Sequence, residues 1–397
     1  ALAGPDVDRE VAAEQDVGIV GVDEASLDPM AARDVRPPAY PTVTPADLAE
    51  VIFTSGTTSD PKGVMLTHGQ IIHTARAFGQ TGMGARPDRA LAGIPLSHMY
   101  GQTLPLLMGF MGSSTLVFLH SLSPKAMTAT MQRERVTAIT LTPHPLGNLL
   151  RSFEAEARRQ GREEAMARGH AIARWLPRPL RRIVFRSIHA PLGGALEVIS
   201  CGGALLPVEL QQAFEDFGFR IVQGYGTTEV AGVTGHKRTK QRAGTAGPPL
   251  AEMEVRIAED GELLARGPNV MLGYWEDPAA TAEVLDGEGW FHTGDAARID
   301  EHGELVILGR TRDRIALPSG LNVYPEDVEA ARVSTSAVRA AVVVERSPGK
   351  LAAALVPAAA DATDDELAAA IKAANATLAP HQRVGSWRRW PDADLPR

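Results

Sequence analysis

The chain has 397 residues and a mass of 42.3 kDa, and its 44% hydrophobic and 22% charged residues are typical of a globular protein large enough for more than one domain. A net charge of -8 and a pI near 5.8 argue against a general binder of nucleic acid or of anionic membranes, since such proteins usually carry a basic face. The single cysteine, Cys201, excludes an intramolecular disulfide and a thiolate zinc cluster. The sequence contains no apolar run long enough to span a membrane, and its first residues do not resemble a signal peptide. We therefore expect a cytoplasmic protein.

The first part of the chain predicts a parallel α/β sheet. Residues 1–45 are acidic and then proline-rich, which predicts a remnant of a strand followed by an extended connector. Residues 47–56, DLAEVIFTSG, predict a short helical turn that leads into a buried strand. Between residues 69 and 142, strand-like and helix-like segments alternate, as they do in a parallel sheet covered by helices.

Two basic helical stretches follow, over residues 149–176 and 178–194. Runs of charge usually mark a solvated helix face. We therefore expect an amphipathic helix pair that lies over the sheet and turns its arginines toward water.

The second half predicts three different kinds of structure. Residues 195–229 have the strand, helix and strand pattern of a βαβ unit, with glycine turns at the strand ends, where open α/β sheets bind ligands. Short strands and turns recur from residue 244 to residue 308 and predict a β-rich subdomain. Residues 309–315 then resemble a linker, and a small α+β domain is predicted after it.

The stretch FTSGTTSDPKG, residues 53–63, has the composition of an anion-binding loop. Small residues let backbone N–H groups converge on an anion, the Thr and Ser hydroxyls add donors, and Lys62 adds a mobile positive charge. The spacing is not that of a Walker loop. On the residues alone, a phosphate-binding loop and an ordinary surface turn remain equally good interpretations.

Two further stretches are candidates for the same site. In GYGTTE, residues 224–229, the glycines would let a ring approach the backbone and Glu229 could hold Mg²⁺, whereas a strand-end turn capped by Thr is the simpler interpretation. In GWFHTGD, residues 289–295, Asp295 could accept both hydroxyls of a ribose and Arg310 could support it, although such turns are common.

The order of these stretches resembles that of the adenylate-forming superfamily of acyl-CoA synthetases, luciferases and peptide-synthetase adenylation domains. The motifs, found in sequence between residues 53 and 329, are TSGTTSDPKG, PLSHMYG, GYGTTE, GWFHTGD, GRTRDRI and GLNVYPEDVE. Residues 180–210 and the helical stretch before them most resemble the long-chain fatty acyl-CoA synthetases.

The resemblance implies an α/β fold in two domains. A large N-terminal domain of α/β subdomains and a β-rich subdomain would cover residues 1–309, and a small, mobile α+β C-terminal domain would cover residues 310–397. In this family the large domain begins upstream of the first motif, and a catalytic lysine often follows a stretch such as DLPR. We therefore expect that the chain is part of a longer one, lacking the front of the large domain and the lysine motif.

The resemblance also implies a role for each matching residue. Residues matching the segments that bind ATP or AMP are Thr54, Ser55, Gly56, Thr57, Thr58, Lys62, Gly202, Gly203, Ala204, Tyr225, Gly226, Thr227, Thr228, Asp295 and Arg310. Those matching catalytic positions are Lys62, His98, Thr228 and Glu229, with Glu229 also the Mg²⁺ ligand. Arg312 matches the hinge between the domains.

Some of these residues have simpler interpretations. His98, implied to lie beside the acyl carboxylate, could instead be a hydrogen-bonded core histidine. Cys201 fits a buried apolar position better than a nucleophile, and Trp275 and Trp290 fit packing positions.

The implied activity is that of an AMP-forming fatty acyl-CoA synthetase of long- or medium-chain type, which uses ATP, Mg²⁺ and coenzyme A. A fatty acyl-AMP ligase that delivers the acyl group to an acyl carrier protein is the alternative, and a non-catalytic nucleotide-binding protein is the second alternative. We expect no nucleic acid partner and at most peripheral contact with a membrane. The sequence does not predict the chain length of the acid or the oligomeric state.

Overall fold

The computed structural model describes residues 2–3, 20–21, 42–54, 61–85, 87–119, 121–317, 322–325, 328–329, 337–347, 349–359 and 361–391. The chain forms two compact units, Ala1–Thr44 and Pro45–Arg397. In the first unit, Leu2–Ala3 (β1) pairs in parallel with Val20–Gly21 (β2). The predicted domain boundary between residues 309 and 310, within the second unit, stays a prediction.

The elements of the second unit alternate between strands and helices over its first half. The strands are β3 (Leu48–Phe53), β4 (Gly63–Thr67), β5 (Arg89–Ala92), β6 (Thr115–Phe118), β7 (Ala138–Leu141), β8 (Val198–Cys201), β9 (Arg220–Tyr225), β10 (Thr234–Gly235), β11 (Glu254–Ile257), β12 (Glu262–Arg266), β13 (Gly273–Tyr274), β14 (Phe291–Ile299), β15 (Leu305–Arg310), β16 (Ile315–Ala316), β17 (Asn322–Val323), β18 (Val338–Ser347), β19 (Lys350–Pro357) and β20 (Val384–Arg389). The α-helices of four or more residues are α1 (His68–Gln80), α2 (Pro124–Glu134), α3 (Pro143–Arg159), α4 (Glu163–Ala173), α5 (Arg178–Val184), α6 (Arg186–His189), α7 (Val208–Asp216), α8 (Pro278–Val284) and α9 (Asp364–Thr377).

The largest sheet confirms the predicted α/β architecture. Its strand order is β10-β9-β8-β7-β5-β6, with parallel pairing from β9 to β6 and an antiparallel edge at β10. Every residue of β7 and β8 is buried, as expected for parallel strands covered on both faces. Leu141 and Phe214 belong to a core that joins this sheet to its helices. The β8-α7-β9 segment is the predicted βαβ unit.

Two antiparallel sheets follow. One forms the predicted β-rich part, and the other pairs a strand of that part with β4, near the start of the second unit. The first has the order β11-β12-β14-β15 and the second β13-β4-β3. Val64, Leu66 and Phe78 pack with Tyr274 in a core beneath the second sheet. Because β13 pairs with β4, residues more than two hundred positions apart meet at one edge.

The C-terminal segment is α+β, as predicted. The strand order is β18-β19-β20, and Leu367 and Ile371 of α9 lie in the same core as Leu355 of the sheet. A capping box starts α9, because Thr363 accepts from the Glu366 backbone while the Glu366 carboxylate accepts from the Thr363 backbone. No helix in the described part of the chain has the length and apolar character that crossing a membrane requires.

Three local predictions were wrong. Residues 48–53 are strand β3 rather than a helical turn leading into a buried strand, and Phe53 is 65% exposed because it points to the face opposite that of the buried Ile52. Strand β15 extends to Arg310, so the linker begins later than residue 309. Trp290 is buried as expected, but Trp275 is half exposed.

The first basic stretch agrees with the prediction, since Arg159 and Arg168 are exposed by 77% and 74%, but the second differs from it. In α5 the apolar side chains face solvent, and no residue of this helix is buried. The guanidinium groups of Arg181 and Arg182 instead donate to backbone carbonyls of neighbouring segments, Arg181 to Glu215 O at 3.0 Å and Arg182 to Leu196 O at 2.7 Å. These two arginines therefore anchor α5 to the neighbouring segments, and the apolar side of the helix faces solvent.

Candidate active site

A cleft of about 2280 Å³ opens where the parallel strands of the large sheet end. Segments that follow β5, β7, β8 and β9 line it, which is the ligand-binding edge of an open α/β sheet. The predicted site residues that line it are Thr54, Lys62, His98, Gly202, Gly203, Ala204, Tyr225, Gly226, Thr227, Thr228, Glu229, Asp295, Arg310 and Arg312. Ser55, Gly56, Thr57 and Thr58 lie outside the described residues. The fold thus brings residues from four distant parts of the sequence to one cleft.

Asp295 and Arg310 form an ion pair across two strands. They are opposite each other in the β14–β15 register, and Arg310 Nε lies 3.1 Å from Asp295 Oδ1. The Tyr225 hydroxyl donates to Asp295 Oδ2 at 2.5 Å. A carboxylate has about four acceptor positions, so Asp295 can still accept two further hydrogen bonds.

Burial determines the electrostatics of this trio. Asp295 is only 7% exposed, and its burial raises the pKa of the carboxyl group, an effect that Arg310 and the Tyr225 hydroxyl oppose. Burial and the neighbouring Asp295 carboxylate raise the pKa of Tyr225 well above its usual value. Tyr225 is therefore a neutral hydrogen-bond donor, and its bond to the Asp295 carboxylate holds its hydroxyl group in place.

A second cluster lies on the cleft wall. The Tyr274 hydroxyl donates to Glu229 Oε1 at 2.9 Å, and Lys62 Nζ lies 4.9 Å from the centroid of the Tyr274 ring. Burial and Glu229 raise the pKa of the Tyr274 hydroxyl, so it remains protonated. Tyr274 thus holds a cation against its ring and an anion at its hydroxyl group.

The ends of the anion-loop candidate are paired. Thr54 N donates to Lys62 O at 2.9 Å, and Lys62 N donates to Thr54 Oγ1 at 3.3 Å. These bonds fix the Lys62 backbone beside Thr54 at the cleft. They suit a phosphate loop and a surface turn equally, so its role in binding phosphate stays a prediction.

The glycines after β8 line the cleft and contact Tyr100. Gly203 has φ +78°, a conformation that favours glycine, and a Cβ on Gly202 would lie 3.2 Å from Tyr100 Cζ. The Tyr100 hydroxyl and Ser200 Oγ are 3.0 Å apart beneath them. The absence of a side chain at Gly202 thus makes room for the Tyr100 ring, and residues 202–204 line the cleft.

The turn after β9 supports both interpretations of GYGTTE. Thr227 Oγ1 accepts from Val230 N at 3.2 Å, and Thr227 N donates to Val230 O at 3.0 Å, so Thr227 caps a turn. Thr228 and Glu229 sit within that turn and line the cleft. The capping turn therefore presents the two residues for which a catalytic role was predicted.

His98 is exposed and lines the cleft, so the interpretation as a core histidine was wrong. Phe78, Met99 and Leu104 form an apolar wall of the cleft near it. Cys201 lies in the core, where burial raises the pKa of its thiol, as expected of an inert position. The described residues do not test the role of Arg312 as a hinge.

Tyr274 is the site residue that the sequence motifs missed. It is the second residue of the two-residue strand β13 and lies outside the sequence motifs, so nothing in the adjacent sequence indicates that it contacts Glu229. Only the pairing of β13 with β4 brings it next to Lys62. Tyr100 was likewise only part of a quoted motif.

The donor set at Glu229 fits Mg²⁺ held jointly with a phosphate ligand. Glu229 Oε1 accepts from Tyr274, and Oε2 accepts no hydrogen bond from the described residues. Within those residues, no cluster of three or more His, Cys, Asp or Glu side chains could hold a metal ion alone. Mg²⁺ commonly takes one or two carboxylates and completes its shell with phosphate oxygens and waters.

Comparison with known proteins places these features in a family. The sequence profile described as AMP-binding enzyme matches residues 4–275. A feruloyl-CoA synthase of Amycolatopsis sp is 33% identical over 312 residues, which are 75% of this chain and 56% of the relative. The long-chain-fatty-acid–CoA ligase FadD15 of Mycobacterium tuberculosis is 32% identical over 303 residues, 71% of this chain and 50% of the relative. The chain thus spans about half the length of these curated relatives.

A solved structure shares the fold over the whole chain. The o-succinylbenzoate CoA synthetase MenE of Bacillus subtilis, in complex with its acyl-adenylate intermediate, has a TM-score of 0.73 and 26% identity, and the match covers 100% of this chain and 75% of that one. The profile match covers more than half of the chain and agrees with the motif order and the fold. This chain belongs to the AMP-binding enzyme family of adenylate-forming proteins.

Proposed function

We propose that this protein activates a fatty acid with ATP, as an AMP-forming acid–thiol ligase. The acid would first form an acyl-adenylate with release of pyrophosphate, and coenzyme A would then take the acyl group and release AMP. One observation carries the proposal. The Asp295–Arg310 pair, the Lys62–Tyr274–Glu229 cluster and an apolar wall line a single cleft.

The cleft offers a complementary group for each part of a nucleotide. The open acceptor positions of Asp295 suit the two hydroxyls of a ribose, and Tyr225 and residues 202–204, which line the cleft, would contact the adenine. Thr228 lies in the turn where an α-phosphate would follow the ribose, and Lys62 would meet the phosphates beyond it. Glu229 would hold Mg²⁺, which supplies charge neutralisation when bound.

Electrostatics explains why these groups are needed together. The carboxylate of the acid must attack the α-phosphorus of ATP, and two anions repel each other. Lys62 and the hydroxyls and backbone N–H groups of the cleft lower that repulsion and hold the attacking and leaving oxygens in line. Catalysis would therefore depend mostly on how the cleft positions the two substrates and reduces the repulsion between their charges.

The choice of a fatty acid rests on the apolar wall. Phe78, Met83, Ile94, Met99 and Leu104 line the cleft beside His98, which would lie next to the acid carboxylate. Such a wall favours an acid with a long or bulky apolar group over acetate. One relative is named for feruloyl-CoA and another for a long-chain fatty acid, so an aromatic acid is the competing substrate class.

Transfer to coenzyme A would use the same cleft. Arg312 follows β15 by two residues and is solvent-exposed, a position from which the chain beyond it could rotate. In this proposal residues 310–397 turn about Arg312 after adenylation and open a path for the thiol. One site would then serve both half-reactions.

Mass spectrometry of the products tests the proposal. The full-length protein is incubated with ATP, Mg²⁺, coenzyme A and single acids from acetate to octadecanoate, and with ferulate as the aromatic competitor. Replacing ATP by its α,β-methylene analogue, which cannot release pyrophosphate, is the matched control. Acyl-CoA formed from the longer acids supports the proposal, and thioester from ferulate alone overturns the substrate class. Acyl-AMP without thioester would favour delivery to an acyl carrier protein. If no acid gives AMP, the alternative of a non-catalytic nucleotide-binding protein would be favoured.

A further inference from the structure

The outward side of α4 and α5 is apolar. Leu180, Ile183 and Val184 lie at i, i+3 and i+4 positions of α5 and share one face, with exposed fractions of 44%, 68% and 42%. At the end of α4, Ile172 is 55% exposed and Trp175 is 90% exposed. These five residues are called the apolar ridge below. A protein rarely exposes so many large apolar side chains together without a binding role.

The helix is held in this inverted orientation by specific bonds. Arg181 Nε donates to Leu176 O at 2.8 Å, and Arg182 Nη2 donates to Gly194 O at 2.9 Å. Arg178 Nη2 donates to Gln241 Oε1 at 3.3 Å. The polar side of α5 is therefore committed to the protein body, and the ridge faces solvent as a consequence of the fold.

The segment that carries the ridge is rich in arginine. Residues 165–190 include no Asp or Glu, and they include the arginines Arg168, Arg174, Arg178, Arg181, Arg182 and Arg186. This contrasts with the net charge of -8 of the whole chain. Arg168, Arg174 and Arg186 are solvent-exposed. Arg168 lies 4.0 Å from the exposed carboxylate of Glu164, and Arg174 lies 3.5 Å from the buried carboxylate of Asp216. The whole-chain charge thus conceals a local basic surface.

We propose that the apolar ridge docks on the surface of an anionic lipid bilayer. Trp, Ile and Leu side chains that project from a helix pair suit insertion to the depth of the headgroups, and the exposed Arg168, Arg174 and Arg186 suit lipid phosphates. Charge complementarity favours an anionic lipid surface.

The position of the ridge connects docking to the cleft. Trp175 follows Arg174, and Arg174 and His170 of the same helical segment line the cleft. A bilayer bound at the ridge would therefore lie beside one end of the cleft, where an apolar ligand could pass between them. The docking itself does not depend on the proposed ligase activity, and its test needs no substrate.

Sedimentation with vesicles tests the proposal. Phosphatidylcholine vesicles with and without phosphatidylglycerol are the probes, and the protein is expected to bind the anionic ones more tightly and to lose binding as salt is added. The double variant Trp175→Ser, Ile183→Ser is expected to bind about tenfold more weakly or worse, since about 1.4 kcal/mol of lost burial corresponds to tenfold. Phe110→Ser is the matched control, because Phe110 is 70% exposed and lies outside the ridge.

The result can also refute the proposal. Thermal melts of the three proteins exclude misfolding, since all the altered side chains are exposed. Equal sedimentation of the double variant and the native protein would overturn docking through the ridge. Equal binding to neutral and anionic vesicles would overturn the role of charge. Absence of vesicle binding, together with a dimer that the double variant dissociates, would show that the ridge is a contact between two copies of the chain.

Discussion

Replacing Asp295 by Asn should separate nucleotide binding from folding. The Asp295 side chain is 10% exposed, accepts from the Tyr225 hydroxyl at 2.5 Å and lies 3.1 Å from Arg310 Nε. Asn has nearly the same shape and can still accept from Tyr225, but it carries no charge. The Arg310 side chain is 45% exposed, so water can solvate it when its partner is neutral.

The loss of nucleotide affinity can be worked from the two ribose hydrogen bonds. Bonds to a charged group are roughly twice as strong as neutral ones, so each bond would lose about 1–1.5 kcal/mol. Two such bonds give about 2–3 kcal/mol, or roughly 30- to 150-fold in KM for ATP. The effect on the acid substrate should be smaller, because Asp295 is assigned to the ribose.

Stability should move in the opposite direction. Burial raises the pKa of Asp295, so the folded protein holds this proton more strongly than the unfolded chain does. Stability therefore falls as the pH rises from the unfolded value of about 3.9 through the folded pKa, and the loss is complete above it. Asn cannot ionise and avoids this loss. We expect the variant to melt at the same or a higher temperature than the native protein at neutral pH, and the difference to vanish in acid.

The assay is ATP-dependent pyrophosphate exchange with the preferred acid, together with thermal melts across pH. The matched control is Glu254→Gln, since Glu254 pairs with Arg266 across β11 and β12 at 2.8 Å in the same sheet but outside the cleft. The control should leave KM for ATP unchanged. An unchanged KM in the Asp295 variant, with a normal melt, would refute the ribose assignment.

Three further variants test other parts of the structure. Glu229→Gln keeps the hydrogen bond from Tyr274 but removes the charge of the side chain. It should raise the Mg²⁺ concentration needed for half-maximal pyrophosphate exchange about tenfold or more. An unchanged Mg²⁺ titration would show that Glu229 does not bind the metal. Arg312→Pro should slow thioester formation more than adenylation because proline restricts φ, with Arg312→Ala as the control, and equal losses in both steps would count against rotation there. Burial lowers the pKa of His189 to about 4, so stability should be lost as the pH falls from about 6.5 toward that value; His189→Gln, which can still donate to Phe217 O, should flatten this dependence in pH-resolved melts, and an unaltered slope would assign it to other groups.

The motif residues could be predicted from sequence because loops at strand ends carry their own local signals. Gly202 and Gly203 end a buried strand, and Thr227 caps the turn after the next one. Both features depend on neighbours within a few residues. The parallel order of β5, β7, β8 and β9 then follows from alternation with helices, so the edge at which these loops meet was predictable.

The errors came from context that the sequence does not carry locally. Residues 48–50 form a strand because β4 pairs with them, and the alternation of side chains along β3 leaves Phe53 exposed while Ile52 is buried. The arginines of α5 suggested a solvated face, but carbonyls at Leu176, Glu215 and Leu196 bind two of them. Tertiary partners at these places override the local pattern.

The pairs that give the cleft its charges are set by antiparallel register. Asp295 meets Arg310 because residues 295 and 310 are opposite in β14 and β15, and a slip of one residue would turn one side chain to the other face of the sheet. Tyr274 is opposite Val64 in β4, two residues after Lys62, which brings its ring under that cation and its hydroxyl to Glu229. The motifs supply groups that can bind a nucleotide, while the strand pairing decides which of them act together.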